Sequence, residues 1–423
     1  MKNFNLQYYL LIFILTSCKP NIPDPIHRLL LVLPKPSLSS SSNTETVATP
    51  VFSPIAGHYS TPQTITLSTT TSSATIYYTI DGTDPTTAST VYNSSVGHIW
   101  AMEGRTLKAI AVKTGATTSS IATAMYSYPT LKTGQTATYY TNDDGATQTG
   151  VVKSYTDNGD ETITDNSTGL IWQKCSRGLS GTSCGTGGLT QDSATNQISY
   201  CSSLSLAGKT WRLPSRNELY TLIDVTNTPR INSTYFPNTA SLEYRTSEPV
   251  YSNPTNYWVV HFGEARIPAN IASTINRPAR CVSGQSRLKF NLEDLNDGTI
   301  KDKVTSLIWQ KCSNGQTNDS NCTGTPSNNA VDSSHNYCNS LTLAGRTWRL
   351  PNVFELDSIV DLNVPNPALQ TSFFPNNTGN FYWTSTDFVF IANSQFGVFF
   401  SSTGSIFSNL KTDGYQVRCV SRP

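Results

Sequence analysis

One stretch of this sequence occurs twice, and it constrains the architecture more than any other feature. The segment 208–219, GKTWRLPSRNEL, returns 137 residues later as GRTWRLPNVFEL. The motifs LIWQKC and RCV, which lie before and after it, also occur twice at nearly the same offset. A repeat of this period is typical of two tandem domains rather than of a solenoid of short units. We therefore predict a duplicated domain, with copy one over 151–284 and copy two over 285–423.

The repeated stretch predicts the start of a helix. Pro214 ends an extended segment because proline lacks the N–H that a strand ladder needs, and Ser215 follows as a helix N-cap. Ser215 and Glu218 have the spacing of a capping box, in which each side chain bonds the backbone N–H of the other residue. Trp211 and Arg212 permit two interpretations, an aromatic and cationic ligand site or a core tryptophan with a structural arginine. We favour the second, because the motif lies between two elements of the core.

A second helix is predicted upstream in each copy. In copy one, apolar residues recur at helical spacing, namely Ala194, Ile198, Cys201 and Leu204. Copy two keeps this spacing, with Cys338 in place of Cys201. We therefore expect one buried face on this helix, with a cysteine on it.

Each copy contains four cysteines, which predicts a disulfide framework in an exported chain. The eight are Cys175, Cys184, Cys201, Cys281, Cys312, Cys322, Cys338 and Cys419. Three pairings are possible within a copy, and we predict that the first two cysteines pair and the last two pair. The first pair encloses a short loop rich in Gly, Ser and Thr, and the second ties the upstream helix to the last strand. Zinc is the alternative, but the chain has no Cys-x-x-Cys and no histidine recurs between the copies.

The N-terminus has the features of an export signal. Lys2 supplies positive charge, residues 6–15 are apolar but too few to span a bilayer, and Cys18 follows Leu-Thr-Ser. This junction resembles the lipobox of bacterial lipoproteins, in which the peptide is cleaved before a cysteine that receives lipid. The resemblance implies a signal peptide over 1–17 and anchoring through Cys18 to the bacterial envelope, which we expect to be the outer membrane and cell surface. An ordinary secretory signal is the alternative, but Cys18 is the one cysteine of nine outside the two copies.

Between the signal and the repeats the composition changes twice. Residues 18–50 are predicted to be a flexible tether, because much of this stretch is Ser, Thr, Asn and Pro. Over 51–128, β-branched and aromatic residues alternate with polar ones, which predicts a small β-sandwich. Its motif YYTIDGTDP, at 77–85, resembles the immunoglobulin-like C-terminal domain of chitobiases and β-hexosaminidases, which is an accessory module. We expect residues 129–150 to be a linker.

Both copies resemble one known family along nearly their whole length. Their motifs TGLIWQK, WRLPSRNEL, FPN and RCV are similar to those of the C-terminal domain of bacterial collagen-like adhesins, the Lcl C-terminal domain. Copy two adds Tyr382-Trp383, where copy one has Tyr244-Arg245 and so lacks the family's tryptophan. The resemblance implies a multidomain protein in which an all-β immunoglobulin-like sandwich precedes two α+β domains similar to C-type lectins. It also implies an extracellular protein that binds sulfated glycans or host matrix.

The sequence contains no recognisable catalytic constellation. It has no Gly-rich phosphate loop, no Gly-x-Ser-x-Gly and no metal-type pair of His and Glu. We therefore expect no enzyme activity, no cofactor and no metal. The 29 Lys and Arg residues nearly balance 28 Asp and Glu, and no basic stripe indicates nucleic acid as a partner.

A local excess of arginine marks the late part of copy one. The arginines there are Arg230, Arg245, Arg266, Arg277 and Arg280. Because arginine pairs bidentately with sulfate-like and carboxylate groups, we select Arg245, Arg266 and Arg277 as candidate ligand-binding residues. We accordingly expect copy one to carry more of any affinity for an anionic ligand. The alternative is that these are scattered core and surface arginines.

Two functions fit the sequence. The first is a surface lipoprotein of the adhesin type, whose tandem lectin-like domains bind a glycan or a matrix protein. The second is a structural, envelope-associated lipoprotein that makes protein–protein contacts and has no external ligand. Protease digestion of intact cells separates the two hypotheses, because protection of the protein favours the envelope role.

Overall fold

The computed structural model describes residues 44–59, 63–93, 99–100, 106–268, 271–284, 290–364, 366–401 and 403–422. These residues form a mainly β structure with a few short helices. The predicted signal peptide, the predicted lipidation site Cys18 and residues 18–43 of the predicted tether lie outside the described residues. Within them, no helix is both long enough and apolar enough to cross a membrane.

Two sheets with a common core form the N-terminal domain. Its strands are β1 Val51–Ser53, β2 Gly57–His58, β3 Thr64–Ser68, β4 Thr75–Thr79, β5 Thr90–Val91, β6 Ile99–Trp100, β7 Thr106–Val112 and β8 Ala122–Ser127. They are arranged in the orders β1-β3-β6 and β2-β8-β7-β4-β5. Ile65 and Leu67 of β3 are buried while the residues between and after them are exposed, as the predicted alternation requires. This architecture agrees with an all-β domain of the immunoglobulin-like kind.

Copy one combines two helices with two antiparallel sheets and a short ribbon. After a one-turn helix, α1 Asp144–Thr147, the elements are β9 Tyr155–Asp157, β10 Thr162–Asp165, β11 Ile171–Gln173, β12 Leu179–Ser180, β13 Thr186–Gly187, α2 Ala194–Ser203, α3 Arg216–Tyr220, β14 Glu243–Val250, β15 Asn253–His261, β16 Ile271–Ala272 and β17 Val282–Ser283. The sheets have the orders β17-β11-β10-β9 and β14-β15-β16, and β12 pairs with β13.

Copy two repeats this arrangement. Its elements are β18 Leu292–Asp294, β19 Thr299–Asp302, β20 Ile308–Gln310, α4 Val331–Ser340, α5 Val353–Ser358, β21 Phe381–Asp387, β22 Ser394–Phe399, β23 Ser405–Leu410 and β24 Val420–Ser421. The sheets have the orders β18-β19-β20-β24 and β21-β22-β23. In each copy the last strand pairs with an early one, β17 with β11 and β24 with β20. The ends of each copy are therefore held together within that copy.

The predicted capping box is present in both copies. Ser215 Oγ accepts a hydrogen bond from Glu218 N at 3.2 Å, and Glu218 Oε2 accepts one from Ser215 N at 2.9 Å. Asn352 and Glu355 make the same reciprocal pair in copy two. The strand expected just before the cap is reduced to one bridge, in which Arg212 and Val282 exchange backbone hydrogen bonds of 2.9 Å. The pairing stops there because proline follows two residues later.

Residues 129–150, which we expected to be a linker, are packed between the two copies. Thr133 O accepts a hydrogen bond from Val225 N of copy one at 3.0 Å. Gln135 Oε1 accepts one from Asp387 N of copy two at 2.7 Å. The segment is therefore part of the folded body and holds the two copies in place.

The two copies share one buried apolar core and meet through equivalent elements. The ring of Tyr220 in α3 lies edge-on to that of Phe354 in α5, with 5.1 Å between centroids. Beside it, the Arg216 guanidinium lies 2.7 Å from the carboxylate of Asp357. Asp357 is the counterpart of Tyr220 in the repeat, and Phe354 is the counterpart of the residue after Arg216. The two contacts are therefore related by an approximate twofold axis.

A backbone contact lies close to that axis. Ile267 and Ile406 exchange N–H···O=C hydrogen bonds of 3.1 and 3.3 Å. These residues occupy neighbouring positions in the repeat, as antiparallel pairing across a twofold axis requires. The copies are therefore a fused, pseudo-symmetric dimer with a common core, rather than two independent domains on a string.

Candidate functional site

The tryptophan and arginine of the repeated motif have structural roles. Trp211 is 2% exposed, and its Nε1 donates to Leu206 O at 3.0 Å. The Arg212 guanidinium makes two parallel hydrogen bonds to Glu218, of 2.7 and 2.6 Å. Copy two repeats each of these contacts. This agrees with the core interpretation, and it shows that the capping glutamate also neutralises the motif's arginine.

A groove runs beside this motif in both copies. Motif groove one is a cavity of about 420 Å³, lined by Ile171, Lys209, Thr210, Trp211, Arg212, Ser283 and Gly284. Motif groove two is a cavity of about 460 Å³, lined by Gly345, Arg346, Thr347, Trp348, Arg349, Ser421 and Arg422, with Asn142 and Thr147 at its edge. Because equivalent residues line both cavities, the groove is a property of the repeated fold.

Motif groove two carries more free positive charge than its counterpart. Arg346 replaces Lys209, and Arg422 replaces Gly284. Among the residues that the structure describes, no carboxylate forms an ion pair with Arg346 or Arg422. Arg346 Nε is buried without a hydrogen-bond partner, whereas Arg422 is exposed and burial of part of its side chain lowers the pKa of its guanidinium.

Motif groove one has a weaker charge. The Arg212 guanidinium is engaged by Glu218 and also donates to Gly284 O at 3.1 Å. Lys209 is the remaining cation in the lining. Its ammonium is a compact charge and lacks the planar donor fork of arginine. The geometry therefore favours copy two for binding an anion.

Arg245, one of the three arginines selected from the sequence, lies in the core. It is fully buried, and its guanidinium donates to the backbone oxygens of Ile271, Ala272 and Ile275. Burial, together with the positive charge of Arg277, lowers the pKa of Arg245 to about 10. This position contradicts the prediction that Arg245 contacts a ligand at the surface. The arginine is buried because its guanidinium bonds the backbone oxygens of the 271–275 segment from the protein interior.

The other two selected arginines lie nearby but are already paired. Arg277 Nε donates to Glu243 at 2.7 Å, and Arg266 forms an ion pair with Glu264. Their side chains are 27% and 34% exposed. The structure thus brings the three arginines together around Glu243, but it leaves little free charge there for a ligand.

This charged cluster stands where copy two has aromatic residues. Glu243, Arg245 and Arg277 correspond to Phe381, Trp383 and Tyr415, whose rings pack with centroids 4.7 to 5.4 Å apart. Where copy two has Trp383, copy one therefore has a buried arginine, Arg245, that bonds backbone carbonyls. At this place the interior of copy one is ionic, whereas the interior of copy two is apolar.

The disulfides join the cysteines in the predicted pairs. They are Cys175–Cys184, Cys201–Cys281, Cys312–Cys322 and Cys338–Cys419. These bonds leave none of the eight sulfurs free to bind zinc. In the described part of the chain, no group of three or more His, Cys, Asp or Glu side chains is placed to hold a metal ion.

A disulfide-bonded, mainly β domain that is duplicated and follows a β-sandwich defines a modular protein. The chain belongs to the Lcl C-terminal domain family, whose model matches residues 161–283 and 298–421, more than half of the sequence. The model of the chitobiase/beta-hexosaminidase C-terminal domain matches residues 54–123. No curated protein matches the sequence. The family indicates an adhesin-like bacterial surface protein, and the four disulfides fit an exported one.

Proposed function

We propose that this protein is a non-catalytic surface lipoprotein whose tandem domains bind an anionic extracellular polymer, either a sulfated glycan or an acidic matrix protein, and so act as an adhesin. The tandem domains are proposed to be of the C-type-lectin kind. The observation that carries the proposal is the pair of unpaired arginines, Arg346 and Arg422, on motif groove two. A polymeric anion fits an open groove with two guanidinium groups along it, because it can contact both of them.

The chemistry of these arginines supports an anionic ligand. A guanidinium group offers planar, bidentate hydrogen bonds to sulfate and carboxylate oxygens, and it keeps its charge across the physiological pH range. Elsewhere on the two copies, arginines are paired with carboxylates, as Arg212 and Arg277 are, or buried against backbone oxygens, as Arg245 is. An incoming anion therefore gains most at Arg346 and Arg422, where it does not have to break an ion pair, although the charge of Glu355 acts on Arg422 from a distance.

The proposed ranking of the two copies reverses the one expected from the sequence. Copy one has the local excess of arginine, but that excess is buried or paired. Copy two has no such excess, yet two of its arginines converge on one groove. We therefore assign the larger part of the affinity to copy two and a smaller part to Lys209 in copy one.

Anchoring at the surface is the second part of the proposal, and it rests on the sequence alone. The junction before Cys18 resembles a lipobox, and we propose that residues 18–43 are the tether between lipid and folded domains. The predicted tether ended at residue 50, but Val47 is buried in the N-terminal core and bonds Thr117. We propose that the lipid holds the protein in the outer membrane with its domains outside the cell. The paired grooves then face extracellular polymers.

Adhesion of intact cells tests both parts of the proposal. Cells that produce the full chain should adhere to a heparin-coated surface, and brief digestion with an external protease should abolish adhesion. The double variant Arg346→Ala/Arg422→Ala should be present at the same surface level but adhere less. The full chain is required because each copy alone exposes half of the shared core. Adhesion that survives both treatments would contradict the proposal.

One observation favours the envelope-structural alternative. The hairpin that follows β21 presents three consecutive apolar residues, Val389, Phe390 and Ile391, which are 48%, 46% and 56% exposed. A patch of this kind is common at protein–protein contacts. Protection of the protein from external protease, together with no binding to anionic polymers, would make this alternative the better account.

A further inference from the structure

A third cavity, of about 280 Å³, lies where the 129–150 segment meets copy one. It shares no lining residue with either motif groove. We call it the junction cavity and define it by Asp144, Lys153, Tyr155, Leu222, Asp224 and Asn232. The function proposed above makes no use of it.

An unsatisfied hydroxyl group is part of its wall. Tyr155 is 7% exposed, and its Oη is buried without a hydrogen-bond partner. A phenol can donate one hydrogen bond and accept others, and leaving such a group unpaired in a protein interior costs stability. The ring itself is fixed, because it packs against Phe236 with 5.3 Å between centroids. The hydroxyl is therefore held in a defined position beside the cavity.

Charged groups add further donors and acceptors. Lys153 Nζ donates to Lys132 O at 2.6 Å, which leaves two of its three N–H groups for other partners. The hydrogen bonds to Asp224, from Thr226 N and Thr226 Oγ1, both go to Oδ1, so Oδ2 keeps its capacity to accept. Asn232 contributes an amide to the same wall.

The balance of these groups selects the chemistry of the ligand. The lining also includes Lys132, so two carboxylates face two ammonium groups. An anion would meet Asp144 and Asp224, and a cation would meet Lys132 and Lys153. A neutral molecule with several hydroxyl groups meets neither penalty, because each hydroxyl both donates and accepts. The side chain of Leu222 and the ring of Tyr155 supply an apolar surface for the carbon skeleton of such a molecule.

We infer that the junction cavity is a binding site for a single neutral sugar residue. Its volume lies just below the range of typical small-molecule pockets, which suits one ring rather than an oligosaccharide. The site is distinct from the proposed polymer-binding groove in both position and charge.

The place of the cavity gives binding a structural consequence. Lys153 also lies over the ring of Phe354 in copy two, with Nζ 4.9 Å from the centroid, and Asp144 Oδ2 accepts a hydrogen bond from Thr386 Oγ1 at 2.7 Å. The cavity wall therefore includes groups that hold the two copies together. A sugar bound there stabilises the folded state by mass action, and the melting temperature should rise with its concentration.

Binding of free monosaccharides to the purified full chain tests the inference. Glucose, galactose, mannose, N-acetylglucosamine and fucose are titrated by calorimetry, with glutamate as a charged probe of similar size. We expect at least one sugar to bind, to raise the melting temperature and to remain bound when heparin is added. Tyr155→Phe, which removes only the unpaired hydroxyl, should weaken that binding about tenfold, as expected for one lost hydrogen bond.

Two further variants keep the test decisive. Asp224→Asn retains an acceptor for Thr226 and should also weaken sugar binding. Tyr251→Phe, at a side chain that is 55% exposed, should leave the affinity for the sugar unchanged. Melting without sugar verifies that each variant is folded. The inference is overturned if none of the five sugars binds, if Tyr155→Phe binds as tightly as wild type, or if glutamate binds in their place.

Discussion

Arg216 of copy one lies 2.7 Å from the carboxylate of Asp357 in copy two, and the two side chains are only 0% and 9% exposed. The same guanidinium donates to Gly404 O of copy two at 2.6 Å and lies over the ring of Trp258, 5.1 Å from its centroid. A buried charge of this kind is tolerated because its partners are fixed around it. The relationship between the copies is therefore part of the folded state of each one.

Replacing Arg216 by alanine should destabilise the whole tandem unit. The change leaves Asp357 buried without its partner, which costs about 3–5 kcal/mol. Denaturant unfolding measures the loss, and Lys108→Ala serves as the control. Lys108 pairs with Asp84, whose side chain is 67% exposed, so that change should cost less than about 1 kcal/mol. Equal effects of the two substitutions would contradict the conclusion that the two copies share one buried core.

The long disulfide of each copy should contribute more stability than the short one. Cys201–Cys281 spans 80 residues and Cys175–Cys184 spans 9. On the chain-entropy model the first contributes about 4–5 kcal/mol and the second about 2–3. Paired Cys→Ala variants of each bridge, compared by thermal unfolding, measure the difference. Non-reducing peptide mapping provides the check on pairing, and a bridge found between the two copies would contradict the structure.

A stability difference between wild type and Asp144→Asn should depend on pH. Burial raises the pKa of Asp144 to about 6, while hydrogen bonds from Thr133 and Thr386 oppose that rise. Because the folded-state pKa exceeds the unfolded one, the stabilising contribution of the protonated carboxyl is full below about pH 4 and is lost as the pH rises through about 6. Asparagine does not ionise, so the stability of the variant relative to wild type should increase as the pH rises across this window. Unfolding midpoints at several pH values measure this, and a flat difference would speak against it.

Lipidation at Cys18 remains a prediction from the sequence. Radiolabelled palmitate should be incorporated into the wild-type protein, because the junction before Cys18 resembles a lipobox. Cys18→Ala should abolish the label, and the variant should leave the membrane fraction. Equal labelling of the two proteins would refute the assignment.

Local features of the fold were predictable from the sequence because their causes are local. The capping box depends on Ser215 and Glu218, three residues apart, and the disulfide pairs follow from cysteine spacing in a duplicated unit. The joint between the copies was not predictable in the same way. Arg216 and Asp357 do not occupy equivalent positions in the repeat, so comparing the copies gives no sign that they meet. The packed 129–150 segment was missed for a related reason, since the hydrogen bonds that hold it to Val225 and Asp387 join residues far apart in the sequence.

The number of arginines in a stretch of sequence does not show how many of them carry free charge at the surface. The excess of arginine in copy one suggested a cationic surface, but Arg245 replaces a core tryptophan and Arg277 is paired with Glu243. Arg346 and Arg422 are far apart in sequence, and the backbone bridge between Arg349 and Val420 brings Arg422 beside the motif. Alignment of the two copies, which puts Arg422 opposite Gly284, was the one signal in the sequence that pointed to motif groove two.

The dissociation constant of the full chain for heparin, measured at low and at physiological salt, tests the central claim most directly. Arg346→Ala/Arg422→Ala should weaken binding at low salt by about tenfold or more, since each charge-assisted contact contributes on the order of 1 kcal/mol or more. The matched double variant Arg266→Ala/Arg277→Ala should bind nearly as wild type does, and the difference between the two should shrink as salt screens exposed charges. The opposite ranking, or no loss in the Arg346/Arg422 variant, would contradict the assignment of ligand binding to motif groove two.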